Sequence, residues 1–154
     1  MIDARDGRLV AGGFCAAEEL FERLAPEERA ERSPAPAGHP VRRALRAYAA
    51  GRLEALEALP VRQPATPFHA EVQRALRRIP AGRTRSYAEL ARAAGRPAAV
   101  RAAASGCARN RVALVVPCHR VLRGDGSLGG YAYGLEVKRA LLTHEAAAVR
   151  PPSG

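Results

Sequence analysis

The chain has 154 residues, of which 47% are hydrophobic, and it carries a formal net charge of +10 at pH 7. This length suits one ordinary domain or two small ones, and no apolar stretch approaches the roughly 20 residues that a membrane span requires. Because it shows neither a signal peptide nor a spanning segment, we expect a soluble, cytoplasmic protein with no membrane partner.

The first part of the chain predicts a small domain of mixed strand and helix. Residues 2–14 are typical of a short strand or hairpin, and residues 17–24 and 41–50 are typical of helices. Between these two helices, residues 26–40 combine Pro, Gly and charge without apolar periodicity. That composition predicts a loop that buries too little surface to become ordered.

Three helices are predicted in the next part of the chain. The first, over residues 68–79, has an apolar face toward the core and arginines on its outer side. Ser86 and Glu89 form a capping-box signal for a second helix over residues 87–94, and a third helix of small residues covers residues 97–108. Two short helices joined by a tight turn are typical of a helix-turn-helix, and equally of an ordinary helical hairpin.

The surplus of positive charge lies in the second part of the chain. Residues 1–66 carry ten Arg against ten acidic residues, whereas residues 67–154 carry fourteen Arg and Lys138 against five acidic residues. Part of the Arg bias is typical of GC-rich codons. Even so, the planar guanidinium of Arg forms paired hydrogen bonds with phosphate and stacks on bases. A surplus of positive charge confined to one segment therefore indicates a nucleic-acid partner.

A candidate nucleophile lies in the segment PCHRV, residues 117–121. It follows the apolar run of residues 113–116, which predicts a buried strand that ends at Pro117. A reactive cysteine needs a base to form its thiolate, and His119 is adjacent to Cys118. Because neighbouring side chains on an extended backbone point to opposite faces, direct contact would require a turn or a bridging water. The alternative is a buried structural cysteine beside a solvent-facing histidine.

The three cysteines give no sign of a disulfide framework or a metal site. Cys15, Cys107 and Cys118 are odd in number and have no regular spacing. Together with the four histidines they form no CxxC or HxxxH pair. We therefore predict no bound metal, and we interpret Cys15 and Cys107 as packing residues.

Several motifs in the second part of the chain resemble those of one family. In chain order they are SYAELA (residues 86–91), a small-residue helix with Arg101, Asn110, VVPCHRV (residues 115–121), GDGSLGGY (residues 124–131) and LEVKRALLTHE (residues 135–145). Their order and spacing resemble the O6-alkylguanine-DNA alkyltransferases, also called methylated-DNA-protein-cysteine methyltransferases. The resemblance runs from about Phe68 to Glu145, and PCHRV is a highly specific element of it.

The resemblance implies an alkyl transfer that repairs DNA. The substrate would be O6-alkylguanine, with O4-alkylthymine as a second possibility, flipped out of the duplex. By motif position, Cys118 would attack the alkyl carbon, while His119 takes the thiol proton through a water and is held by Glu145. Tyr87 would help to rotate the nucleotide and to supply a proton or hydrogen bond to the leaving guanine. The thioether product is a poor leaving group, so each molecule would act once, and no cofactor is implied.

The resemblance also implies how double-stranded DNA is bound. The helix-turn-helix of the family lies in the minor groove, and Arg101 would fill the space that the flipped base vacates. Asn110 would fix the turn that presents the active-site segment. The guanine pocket would be formed by the backbone of Cys118, Val121 and Ala132, with Tyr131 on its wall.

Two departures from the family pattern stand close to these positions. Asn110-Arg111 replaces a common Asn-Pro pair, which would loosen the turn, and Tyr133-Gly134 replaces a Gly-Gly pair. A tyrosine at the pocket edge narrows access or stacks on the substrate. We therefore expect Tyr133 to be compatible with small alkyl groups such as methyl.

The predicted fold class is α/β (α+β). We expect an abbreviated N-terminal sheet-and-helix domain (residues 1–60), a connector (61–67), a mostly helical C-terminal domain with a winged-helix-like helix-turn-helix (68–148), and a tail (149–154). The protein is expected to be a monomer. Two other function classes stand beside the alkyltransferase: a non-catalytic sensor of alkylated DNA, which would lack the reactive cysteine, and a cysteine hydrolase, which would need an oxyanion hole.

Overall fold

The computed structural model describes residues 1–149 and divides into two compact units. Unit 1 contains Met1–Pro64 and Arg111–Val115, and unit 2 contains Ala65–Asn110 and the chain from Val116 onward. The chain therefore returns to unit 1 just before it reaches Cys118. Of the predicted tail, residues 150–154 lie outside the described residues.

Unit 1 combines short helices with very short strands. Strand β1 (Ile2–Asp3) pairs antiparallel with β2 (Arg32–Ser33). Isolated bridges add Ile2 to Leu9, Leu9 to Val61 and Gly12 to Val112. The helices are α1 (Ala17–Glu22), α2 (Pro26–Arg29) and α3 (Pro40–Ala49), followed by a 3₁₀ turn at Leu53–Leu56.

The segment predicted as an unordered loop, residues 26–40, contains helix α2 and strand β2. The prediction is wrong here because polar contacts hold the segment where apolar burial is small. At the start of α2, the Ala25 N–H donates to the Glu28 carboxylate at 3.0 Å. In β2, Arg32 forms an ion pair with the fully buried Asp3. Charge pairing, which hydrophobic periodicity does not register, thus orders this part of unit 1.

Unit 2 is mostly helical. Its helices are α4 (Pro67–Arg77), α5 (Tyr87–Ala93), α6 (Val100–Ala108) and α7 (Leu135–Val149). Strand β3 (Arg85–Ser86) pairs in parallel with β4 (Val121–Leu122), and a 3₁₀ turn covers Cys118–Arg120. Helices together with small sheets confirm the predicted mixed fold class. Within residues 1–149, no helix has the length and hydropathy of a membrane span.

Side-chain caps begin two of these helices. Thr66 Oγ1 accepts a hydrogen bond from the His69 N–H at the start of α4. The predicted capping box of α5 is present: the Glu89 N–H donates to Ser86 Oγ at 3.2 Å, and the Ser86 N–H donates to the Glu89 carboxylate at 2.7 Å. These contacts satisfy N–H groups that have no partner within the first helical turn.

Helix α6 packs closely against α4 because its side chains are small. A methyl group built on Gly106 of α6 would lie 2.9 Å from Cγ1 of Val72 in α4, so only glycine allows this approach. Ala103, also in α6, is fully buried. Arg101 is exposed at the start of the same helix. The helix begins at Val100 instead of the predicted residue 97.

The apolar run of residues 113–116 is buried, but it is not a strand, so that prediction is wrong. Leu114 has a φ of 73°, a left-handed conformation that ends an extended backbone. Just before it, Val112 makes only an isolated bridge, to Gly12. Cys118 therefore begins a 3₁₀ turn and does not follow a strand.

Candidate active site

Cys118 lies at the start of the 3₁₀ turn, directly after Pro117. Burial raises the pKa of Cys118, while a hydrogen bond from Asn110 and the positive charge of Lys138 oppose that rise without cancelling it. The group is therefore a thiol at neutral pH. A reaction at this sulfur requires a nearby base to take its proton.

Asn110 connects the end of α6 to the 3₁₀ turn at Cys118–Arg120, the candidate active-site turn. Its Nδ2 group donates to the Val116 carbonyl at 2.7 Å and to Cys118 Sγ at 3.2 Å. Its backbone N–H donates to the carbonyl of Cys107, in the last turn of α6. One amide side chain therefore holds both the backbone before the turn and the sulfur itself.

His119 is fully buried, and its ring is held by Glu145 of α7. His119 Nε2 lies 2.8 Å from Glu145 Oε1. Because a carboxylate only accepts, Nε2 carries the proton of the neutral ring and Nδ1 is the basic nitrogen. Among the described residues Nδ1 has no hydrogen-bond partner, although it is buried. A buried polar atom of this kind is where a bridging water would bind.

The carboxylate of Glu145 is the centre of a buried polar cluster. Arg120 donates from Nη2 to Oε1 at 2.8 Å and from Nε to Oε2 at 2.9 Å. The backbone N–H of Gly82 adds a bond to Oε2 at 3.1 Å. Burial alone would raise the pKa of Glu145, but hydrogen bonds from His119 and Arg120 outweigh it, so the pKa is lowered. Glu145 is ionised at neutral pH. For His119, burial lowers the pKa and the neighbouring carboxylate opposes that effect.

Arg120 and Lys138 were not among the predicted site residues. Lys138 is fully buried in α7, and its Nζ donates to the carbonyls of Val121, at 2.7 Å, and Leu128. Burial lowers the pKa of Lys138, and the thiol of Cys118 opposes that shift. The sequence contains 24 arginines and only one lysine, Lys138. That difference in composition could have marked Lys138 as a residue with a special role.

Tyr87, the first residue of α5, lies against the segment between β4 and α7. Its hydroxyl is 3.5 Å from the position that a Cβ on Gly129 would occupy. Burial raises the pKa of Tyr87, and the nearby thiols of Cys107 and Cys118 add to the shift. Tyr87 therefore keeps its proton at neutral pH and can act as a hydrogen-bond donor.

The remaining predicted residues occupy varied environments. Tyr131 and Tyr133 pack edge to face, with ring centroids 5.8 Å apart and an interplanar angle of 65°. Val121 is fully buried, whereas Arg101 and Ala132 are exposed. The hydrogen bonds described above join the following predicted residues: Cys118 with Asn110, and His119 with Glu145. Residues 1–149 contain no group of three or more His, Cys, Asp and Glu side chains that could hold a metal.

The site is a cysteine-centred one in a basic, helical unit: a half-buried thiol held by an amide, followed by an imidazole held by a carboxylate. The model of the 6-O-methylguanine DNA methyltransferase DNA-binding domain matches residues 67–147. The chain therefore belongs to the 6-O-methylguanine DNA methyltransferase family, and the predicted family is confirmed.

Similar proteins and structures agree with this assignment. The chain is 45% identical over 101 residues to a methylated-DNA-protein-cysteine methyltransferase of Shigella flexneri, a match that covers 66% of this chain and 59% of that protein. It spans only about a quarter of two longer curated relatives. A crystal structure of the Mycobacterium tuberculosis O6-methylguanine methyltransferase superposes with a TM-score of 0.70 at 36% identity, covering 86% of this chain and 80% of that one. A structure of Mycobacterium tuberculosis OGT in complex with DNA has a TM-score of 0.66 at 39% identity, covering 71% and 67%.

Proposed function

We propose that this protein repairs DNA by transferring the alkyl group of O6-alkylguanine to Cys118, once per molecule. The observation that carries the proposal is a half-buried thiol followed directly in the chain by an imidazole whose far nitrogen is held by an ionised carboxylate. The name of the Shigella relative, a methylated-DNA-protein-cysteine methyltransferase, supports the same chemistry. O4-alkylthymine presents a similar alkyl carbon and is proposed as a second substrate.

In the transfer step, the thiol proton passes from Cys118 through a water to Nδ1 of His119. The sulfur forms a bond to the alkyl carbon while the bond from that carbon to O6 breaks, and the electron pair stays on the guanine. The departing guanine takes up a proton, for which the hydroxyl of Tyr87 is the proposed donor. Glu145 stabilises the imidazolium that forms. A proton then passes through solvent from the imidazolium of His119 back to Tyr87, so the net result is a thioether, a normal guanine and no change in oxidation state.

The product explains why one molecule acts once. A thioether carbon bonded to sulfur resists attack by water, so nothing regenerates the thiol of Cys118. All the chemistry proceeds with the residues of the chain, and we propose no cofactor and no metal. The protein is therefore consumed in proportion to the lesions it repairs.

We further propose that α5 and α6 act as a helix-turn-helix in the minor groove of double-stranded DNA. The charge surplus after residue 66 and the DNA complex of the Mycobacterium tuberculosis protein support DNA as the partner. Arg101 is exposed on α6 and is the proposed filler of the space left by the flipped base. We propose that the protein acts as a monomer.

The proposed guanine pocket lies between the active-site turn and the loop before α7. The backbone of Val121 and Ala132 would recognise the base, with Tyr131 on the wall and Tyr133 at the edge. Lys138 supports this arrangement because its Nζ holds the Val121 carbonyl in place. A carbonyl oxygen has two lone pairs, so Val121 can accept a second hydrogen bond from guanine.

Mass spectrometry after incubation with duplex DNA containing O6-methylguanine tests the proposal. We expect one methyl group per protein on Cys118, and none after Cys118→Ser. Cys107→Ser is the matched control, because Cys107 also has a pKa raised by burial, to about 12, but is not next to a histidine in the chain. Tight binding to the lesion without methyl transfer would contradict the proposal and support a lesion sensor. Transfer that persists in Cys118→Ser would exclude Cys118 as the acceptor.

A further inference from the structure

Arg120 makes several buried contacts, and it has no role in the transfer step proposed above. It is buried, with 6% of its surface exposed, and its guanidinium spans both oxygens of Glu145. Its remaining nitrogen, Nη1, donates to the Ile79 carbonyl at 2.6 Å. The guanidinium of Arg120 is therefore held by Glu145 on one side and by the Ile79 carbonyl on the other. This geometry orients the carboxylate more firmly than a single contact would.

The orientation of Glu145 determines what His119 can do. Oε1 receives both His119 Nε2 and Arg120 Nη2, while Oε2 receives Arg120 Nε and the Gly82 N–H. If the carboxylate rotated, Nε2 would lose its acceptor and the ring could present either nitrogen to the active-site turn. With Arg120 in place, Nδ1 stays free to accept a proton.

The positive charges around His119 outnumber the negative one even while its ring is neutral. The charged groups that affect it are Glu145 and Lys138 from α7 and Arg120 from the 3₁₀ turn; Cys118 is the adjacent titratable group. Glu145 offsets the charge of Arg120, so Lys138 already leaves one net positive charge, and a proton on His119 would add a second. The neighbouring positive charge of Arg120 therefore disfavours the protonated ring of His119.

We propose that Arg120 is a positioning residue of the transfer step, a role that rests on the proposed function of His119 as the base. Arg120 locks Glu145 onto Nε2, and its positive charge keeps the ring of His119 unprotonated until the thiol proton arrives. A merely structural ion pair would hold α7 against the turn and would leave the protonation of His119 unchanged. The dependence of the transfer rate on pH separates these two roles.

The experiment compares single-turnover methyl transfer in Arg120→Gln, Arg120→Lys and the wild type, from about pH 5 to about pH 9. Arg139→Gln is the matched control, because Arg139 lies on α7 and is exposed, so it removes one charge without touching the cluster. Far-ultraviolet circular dichroism gives the folded fraction, and rates are expressed per folded molecule.

For Arg120→Gln we expect the low-pH limb of the rate profile to move to higher pH by about one unit. The reason is that removal of a neighbouring positive charge raises the pKa of His119. Below that limb the rate falls about tenfold relative to the wild type, and toward high pH it rises only to the reduced maximum that loss of the two-point contact with Glu145 leaves. Arg120→Lys keeps the charge and loses the fork, so its limb stays in place while its maximal rate falls. Arg139→Gln follows the wild type at every pH.

The outcomes separate this inference from the proposed function. If the wild type transfers no methyl group, the proposed function fails. If the wild type is active and the limb of folded Arg120→Gln does not move, only the role of Arg120 is overturned. Should Arg120→Gln fail to fold, Arg120→Lys decides: an unmoved limb with a lower maximal rate supports the inference, and a shifted limb or a wild-type rate at every pH overturns it.

Discussion

Replacing Gly106 with Ala should destabilise unit 2, although Ala ordinarily strengthens a helix. In a helix interior, Ala is favoured over Gly by about 1 kcal/mol. At this position the new methyl would lie 2.9 Å from Cγ1 and 3.2 Å from Cβ of Val72. Val72 is fully buried, and its β-branched side chain has little rotamer freedom to move away.

The two effects can be weighed against each other. Overpacking a well-filled core costs about 1–3 kcal/mol, which exceeds the propensity gain at its midpoint. We therefore expect Gly106→Ala to lower the free energy of unfolding by about 1 kcal/mol. Val72→Ala removes the clashing methyl and by itself should cost about 2–3 kcal/mol through lost burial and a cavity. In that background Gly106→Ala should instead stabilise the protein by about 1 kcal/mol, because its methyl enters the cavity.

The assay is urea unfolding followed by far-ultraviolet circular dichroism on the two single variants and the double variant. Ala104→Gly, elsewhere in α6, is the control that measures the propensity effect in the same helix. The diagnostic result is a change of sign: Ala at position 106 destabilises beside Val72 and stabilises beside Ala at position 72. An equal effect in both backgrounds, or a stabilised Gly106→Ala, would refute the packing argument.

Three further predictions concern the site. Asn110→Leu removes two hydrogen bonds, so we expect a loss of about 1–3 kcal/mol in stability and a higher pKa of Cys118. The pKa is read from the pH dependence of the reaction of Cys118 with a thiol reagent, and an unchanged pKa would contradict this prediction. Because the folded protein lowers the pKa of Glu145, the stability that this carboxylate contributes is present at neutral pH and lost as the pH falls below about 4.3. The difference in unfolding free energy between wild type and Glu145→Gln should therefore shrink in acid, and a constant difference would disprove it. Arg101→Ala should slow repair in duplex DNA more than reaction with the free base. Equal losses on both substrates would exclude the proposed role of Arg101 in filling the space that the flipped base leaves.

Signals that depend on neighbouring residues predict this structure well. The capping box of Ser86 and Glu89 joins residues three apart, and the structure contains both of its hydrogen bonds. The apolar periodicity that predicts a helix over residues 68–79 is likewise local, and α4 covers Pro67–Arg77. By contrast, the apolar run of residues 113–116 shows only that the segment is buried. Its backbone conformation depends on the positive φ of Leu114, for which no glycine gave a signal.

The polar cluster of the site was only partly predictable for a different reason. Family motifs indicated Cys118, His119 and Glu145 and implied that Glu145 holds the ring of His119, but they did not indicate the contacts of Arg120. Arg120 and Glu145 are 25 residues apart in the chain, and their ion pair depends on how α7 packs against the 3₁₀ turn. In a chain with a large Arg surplus, one more arginine indicates a solvated or DNA-facing side chain. Only the tertiary structure shows that this arginine is buried.

The protonation states at the site favour selectivity over general reactivity. A protein that acts once is lost when its thiol reacts with a stray electrophile or oxidant, and thiolates are far more vulnerable than thiols. Burial keeps Cys118 protonated, while the ring of His119, the proposed base, stays neutral. In the proposed mechanism the proton leaves only when an alkyl carbon is positioned to accept the sulfur, so the bound lesion and not the resting protein would determine when the thiolate forms. The raised pKa of Cys118 is therefore part of the proposed mechanism.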